Sequence, residues 1–96
     1  MSRAFVNEDN EGAAPRYSLP APDDPTYPMA AARALLAGAN AGDTGSAEAA
    51  TGYLWGDPRL VDELRQLRLE AIERGDDRGE VLAERYLRAA GITVDD

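Results

Sequence analysis

The stretch Asp57-Pro58-Arg59-Leu60-Val61-Asp62-Glu63-Leu64-Arg65-Gln66-Leu67-Arg68-Leu69-Glu70-Ala71-Ile72-Glu73-Arg74-Gly75 decides the fold. Aspartate before proline marks a helix start. The carboxylate can accept from the free N–H groups of the first turn, and proline at the first helical position has a suitable φ and no N–H to leave unpaired. Leu60, Leu64, Leu67 and Ala71 then recur on one stripe, with Val61 and Ile72 flanking it and charged side chains elsewhere. Gly75 supplies the stop. The spacing predicts a helix over residues 57–74, ~27 Å long at 1.5 Å per residue.

One apolar stripe needs a partner, and the chain offers three. Downstream, Asp77-Arg78-Gly79-Glu80 has capping-box spacing and opens a helix that ends at Gly91, with Leu82, Ala83, Tyr86, Leu87 and Ala90 facing inward. Upstream, Pro28 suits a first turn, and residues 29–37 follow without a breaker until Gly38. Between these, Gly42, Gly45 and Gly52 weaken the pattern, but Asp43 or Ser46 can cap a short helix running to about Trp55. The expected fold is all-α: two antiparallel helix pairs over residues 28–96, either a helical repeat or a small four-helix array. Ile92 and Val94 are placed to cover the last helix.

Residues 1–27 read as a flexible, acidic, proline-rich arm, in the simplest case a disordered tail, otherwise a segment lying along the domain or a partner. Five of the six prolines lie between Pro15 and Pro28, and Pro20-Ala21-Pro22 and Asp24-Pro25 favour extended backbone over helix. Phe5, Val6, Tyr17, Leu19 and Tyr27 are too sparse for a core, though enough for a docking motif.

Composition narrows the chemistry. Ten basic residues, all arginine, stand against eighteen acidic ones for a net charge of -8, and the 96 residues include no histidine, lysine or cysteine. Without His or Cys there is no thiolate, no Ser-His pair and no zinc cage of the usual ligands, so the chain is expected not to be an enzyme and to need no cofactor. No disulfide can staple a fold this small, so apolar packing must hold it. The negative charge opposes direct binding to a phosphate backbone. Neither a secretory signal nor an apolar run of membrane-spanning length is present, which points to the cytoplasm.

Sliding the chain on itself by 33 residues aligns Gly42-Asp43 with Gly75-Asp76, Ala50 with Ala83, Tyr53-Leu54 with Tyr86-Leu87, and Leu36 with Leu69. Each copy reads as helix, Gly-Asp turn, then a second helix carrying a small residue and, three positions on, a tyrosine. A helix-turn-helix period near 33 belongs to stacked helical repeats. Residues 29–91 thereby resemble a degenerate tetratricopeptide or Sel1-like repeat, carried by Gly42-Asp43, Ala47, Tyr53 and Asp57-Pro58 in one copy and Gly75-Asp76, Ala83 and Tyr86 in the other. The resemblance implies a non-catalytic stack of antiparallel helix pairs that binds peptides or proteins. Two copies fall short of the ~3 usually needed for independent stability, so Trp55, the arm, self-association or a partner must supply the missing cover.

The opening Met1-Ser2-Arg3-Ala4-Phe5-Val6-Asn7-Glu8-Asp9-Asn10 resembles the leader of bacterial Gre-type transcript-cleavage factors, and Pro28-Met29 followed by Ala-Leu-Leu is similar to the first helix of their coiled coil. The resemblance implies RNA polymerase as the protein partner. It also implies an alternative in which Asp77 and Glu80, at the tip between the two best helices, hold a catalytic magnesium ion and stimulate transcript cleavage. The helix over 57–74 is short for such reach, no stretch of these residues resembles the second Gre domain, and the same two residues read as a helix cap. The expected partner-binding residues are Phe5, Tyr17, Tyr53 and Trp55; Tyr53-Leu54-Trp55 is the densest aromatic cluster, and in a chain with one tryptophan and one phenylalanine it also reads as core, the more usual place for such rings.

Overall fold

A computed structural model describes residues 17–94, and every regular element among them is helical. The helices are α1, Tyr27–Asn40; α2, Thr44–Thr51; α3, Val61–Glu73; and α4, Asp77–Ala89. A 3₁₀ turn, Pro58–Leu60, leads into α3. No helix among the described residues is long and apolar enough to cross a membrane. Residues 1–10, with Phe5, lie outside the described part.

The start at Asp57-Pro58 follows the expected chemistry. The Asp57 carboxylate accepts from the Arg59 N–H at 2.9 Å, with Pro58 opening the turn. Leu60, Leu64, Leu67 and Ala71 are buried, whereas Ile72 stands out in solvent. On α4, Leu82, Ala83, Tyr86 and Leu87 are buried, and Ala90, just past its end, is half-buried.

Three boundaries differ from the sequence reading. First, α1 does not stop at Gly38 but continues to Asn40. Gly38 is buried against α2, where a Cβ would come 2.7 Å from that of Ala47, so the glycine permits close helix approach rather than a turn. Second, α2 ends at Thr51 instead of near Trp55, because Gly52 at φ +80 closes it. Third, the cap of α4 is Asp76, whose carboxylate accepts from the Gly79 N–H at 2.9 Å. Asp77 and Glu80 are therefore the first and fourth helical residues, one position out of capping-box register.

The two Gly-Asp turns are closed by the same bonds. After α1, the N–H groups of Ala41, Gly42 and Asp43 donate to the carbonyls of Ala37, Ala39 and Gly38. After α3, those of Arg74, Gly75 and Asp76 donate to Glu70, Ile72 and Ala71, each bond displaced by 33 residues. Asp43 and Asp76 then cap the next helix by accepting from Ser46 and Gly79.

The core joins Ala31, Ala32 and Leu35 of α1 to Ala47 of α2, Leu60, Leu64 and Leu67 near α3, and Ala83, Tyr86 and Leu87 of α4. α1 packs mainly on α2, α3 mainly on α4, and α1 also touches both α3 and α4. Tyr17 and Leu19 lie half-buried against this core ahead of α1, and Ile92 and Val94 do so after α4. The last part of the arm thus packs along the helices.

Candidate functional site

The segment between α2 and the 3₁₀ turn, residues 52–57, joins the helical bonds only at its two ends, through the Gly52 N–H and the Asp57 carbonyl, so its shape depends on its neighbours. At its entry the buried Tyr27 hydroxyl donates to the Thr51 carbonyl at 2.9 Å. The Thr51 hydroxyl donates to the Ala47 carbonyl at 2.8 Å and accepts from the Tyr53 N–H at 3.1 Å. Midway, the Trp55 N–H donates to the Glu48 carboxylate at 2.8 Å. At the exit the Asp57 N–H donates to the Leu54 carbonyl at 3.0 Å, and the Tyr86 hydroxyl donates to the Asp57 carbonyl at 2.9 Å.

Aromatic contacts hold the same segment from both sides. Tyr53 lies 6.4 Å from the Tyr27 ring and carries the Arg59 guanidinium 4.7 Å from its centroid. Arg59 is fixed in turn by Asp57, through Nε at 3.1 Å and Nη2 at 2.7 Å. These bonds from Arg59 hold the Asp57 carboxyl below the usual carboxylate range. Trp55 meets Tyr86 edge-on at 5.0 Å. Burial, then the nearby Asp57 charge, pushes the Tyr86 phenol up to about 12. Gly56, at φ +87, crosses α4 so closely that a Cβ would fall 2.9 Å from that of Ala89.

Leu54 is the exception in this fixed segment. It is 68% exposed between two half-buried aromatic residues. Tyr53 and Trp55, expected to bind a partner, direct much of their ring surface inward, and the outward residue is the leucine between them. The sequence signal is the leucine itself, the first residue of a turn that the Asp57 N–H closes on the Leu54 carbonyl. The 33-residue alignment masked it by pairing Leu54 with Leu87, which is buried in α4.

The other expected residues lie apart. Tyr17 is half-buried, its hydroxyl beside Gly38. Asp77 is exposed on the first turn of α4. Glu80 is half-buried; desolvation, then the Glu84 carboxylate, raises its pKa above the ordinary glutamate value. Glu84 itself pairs with Arg68 at 2.9 Å across α3 and α4. Among the described residues no three acidic side chains group as a metal site.

A cleft of about 310 Å³ between α1 and the α3–α4 turn has Leu36, Ala37, Leu67 and Ala71 among its lining residues. Its arginines are engaged in holding the fold: Arg33 with Glu70 at 3.2 Å, Arg74 with Asp76 at 3.0 Å, and Arg78 with Asn40 at 3.1 Å. The segment around Leu54 is thus the best-defined candidate for partner binding. Compared with protein-family models, curated proteins and solved structures, the chain matches none.

Proposed function

We propose that this chain is a non-enzymatic interaction module that docks on a protein partner through the residue 52–57 segment. The supporting observation is Leu54, a large apolar side chain held in water by a backbone fixed on both sides. Ordering a loop is a main cost of association, and here the folded chain has already met it. Burying one leucine contributes ~1.5–3 kcal/mol, and Tyr53 and Arg59 offer an aromatic and cationic rim.

For the partner we propose RNA polymerase in the cytoplasm, on the resemblance of residues 1–10 to the Gre leader. Phe5 and Tyr17 are the arm's contributions to that contact. The helices are proposed to form two antiparallel, tetratricopeptide-like pairs, a reading supported by the matching bonds around Gly42 and Gly75.

The test is capture of purified bacterial RNA polymerase by the immobilised full chain. Leu54→Asp is expected to weaken capture at least about tenfold while leaving the far-ultraviolet circular dichroism unchanged. No capture by the unaltered chain removes the polymerase assignment, and capture indifferent to Leu54→Asp removes the segment. The Gre-like alternative predicts magnesium-dependent cleavage of stalled transcripts, lost with Asp77→Asn and Glu80→Gln together.

A further inference from the structure

Apart from Leu54, every large apolar side chain left exposed among the described residues stands on one face: Leu69 at 57%, Ile72 at 43% and Val81 at 41%. On α3, Arg65, Leu69 and Ile72 follow each other at helical spacings of four and three, turned away from the buried Leu60, Leu64 and Leu67. On α4, Asp77, Val81, Glu84 and Arg88 form a matching stripe, turned away from the buried Ala83 and Tyr86. The Arg68–Glu84 ion pair, 2.9 Å long, joins the two stripes into one surface. At one edge Leu69 lines a groove with Leu87, Ile92 and Val94.

Charge is distributed unevenly along this face. The α3–α4 turn puts Glu73, the last residue of α3, and Asp77, the first of α4, at the same end of the helix pair, and neither carboxylate forms an ion pair among the described residues. Arg65 and Arg88 lie at the other end, reaching their neighbours Asp62 and Glu84 only at 3.7 Å. Leu69 lies midway between Arg65 and Glu73, four residues from each, or ~6 Å along the axis each way. A surface that is acidic at one end, basic at the other and apolar between is complementary to its own inverted copy.

We propose that this α3–α4 face pairs with the same face of a second copy of the chain, the two α3 helices running antiparallel about a two-fold axis at Leu69. Leu69 packs on its symmetry mate, and Arg65 of each copy meets Glu73 of the other. Arg88 and Asp77 are brought together in the same way across the α4 stripes, while Ile72 and Val81 close the apolar centre. The pairing needs no polymerase and holds or fails independently of the proposed function.

Sedimentation velocity on the full chain from about 1 μM to about 1 mM tests it. A concentration-dependent monomer–dimer equilibrium is expected. Leu69→Glu is expected to raise the dissociation constant at least about tenfold. Arg65→Glu is expected to weaken dimerisation, and Arg65→Glu combined with Glu73→Arg to restore it. Should Leu69→Glu lose helical circular dichroism, the charge-reversal pair decides. A chain monomeric over the whole range overturns the proposal and leaves the face to a different partner. So does a dimer indifferent to Leu69→Glu, or one that the charge reversals neither weaken nor restore.

Discussion

Tyr86 shows how one side chain can link two distant segments. It is fully buried, closes the end of the α2–α3 segment through the Asp57 carbonyl, and meets Trp55 edge-on. Its phenol titrates near 10 when unfolded and about 12 in place. The neutral form is therefore favoured by folding, so this stabilisation is complete below pH 10 and lost as pH rises from 10 towards 12. Tyr86→Phe is expected to cost ~1 kcal/mol at pH 7 through the lost hydrogen bond and to flatten the alkaline limb of stability against pH in denaturant titrations. Glu80 works in the opposite sense at neutral pH. Desolvation and Glu84 raise its pKa in the fold, so ionisation opposes folding once pH passes the unfolded value. Glu80→Gln should raise the thermal midpoint at pH 7 and leave it nearly unchanged below pH 4.

At the scale of elements, caps and stops decide where helices begin and end, and a one-residue shift changes which side chain matters. Asp76→Ala removes the acceptor for the Gly79 N–H and is expected to lower the thermal midpoint by roughly 4–8 °C. Asp77→Ala, at an exposed first-turn position, should do far less; equal losses would show the cap to be shared. The start at Asp57-Pro58 and the stop at Gly75 were legible in the sequence because their chemistry is local, a carboxylate or glycine acting on backbone within a few residues. Gly38 was not legible as a helical residue, since its role depends on Ala47, which the fold brings against it. The exposure of Leu54 was hidden for a related reason. It depends on how the turn after α2 is anchored, with Tyr27 holding the Thr51 carbonyl from 24 residues away. Helix content and the α3 stripe followed from periodicity, whereas the outward residue of the candidate site required tertiary contacts.

For the whole molecule, the distribution of large side chains indicates where stability is concentrated. α1 and α2 approach closely where Gly38 meets Ala47, and the buried residues of the two helices include the small Ala31, Ala32, Ala34 and Ala47, each of which buries little area. Leu35, Leu60, Leu64, Leu87 and Tyr86 are the largest fully buried side chains. Leu64→Ala is expected to cost ~2–5 kcal/mol, a large part of the stability of a domain this size, as read from urea unfolding. A transition that does not move would place Leu64 outside the core. The edge-on contact of Trp55 with Tyr86 has one more use. Trp55 is the only tryptophan of the chain, so the intrinsic fluorescence of the protein reports from the loop that carries Leu54. An emission change that precedes the loss of helix would signal that loop lifting away from α4, and a change on adding a partner would register engagement without any attached dye.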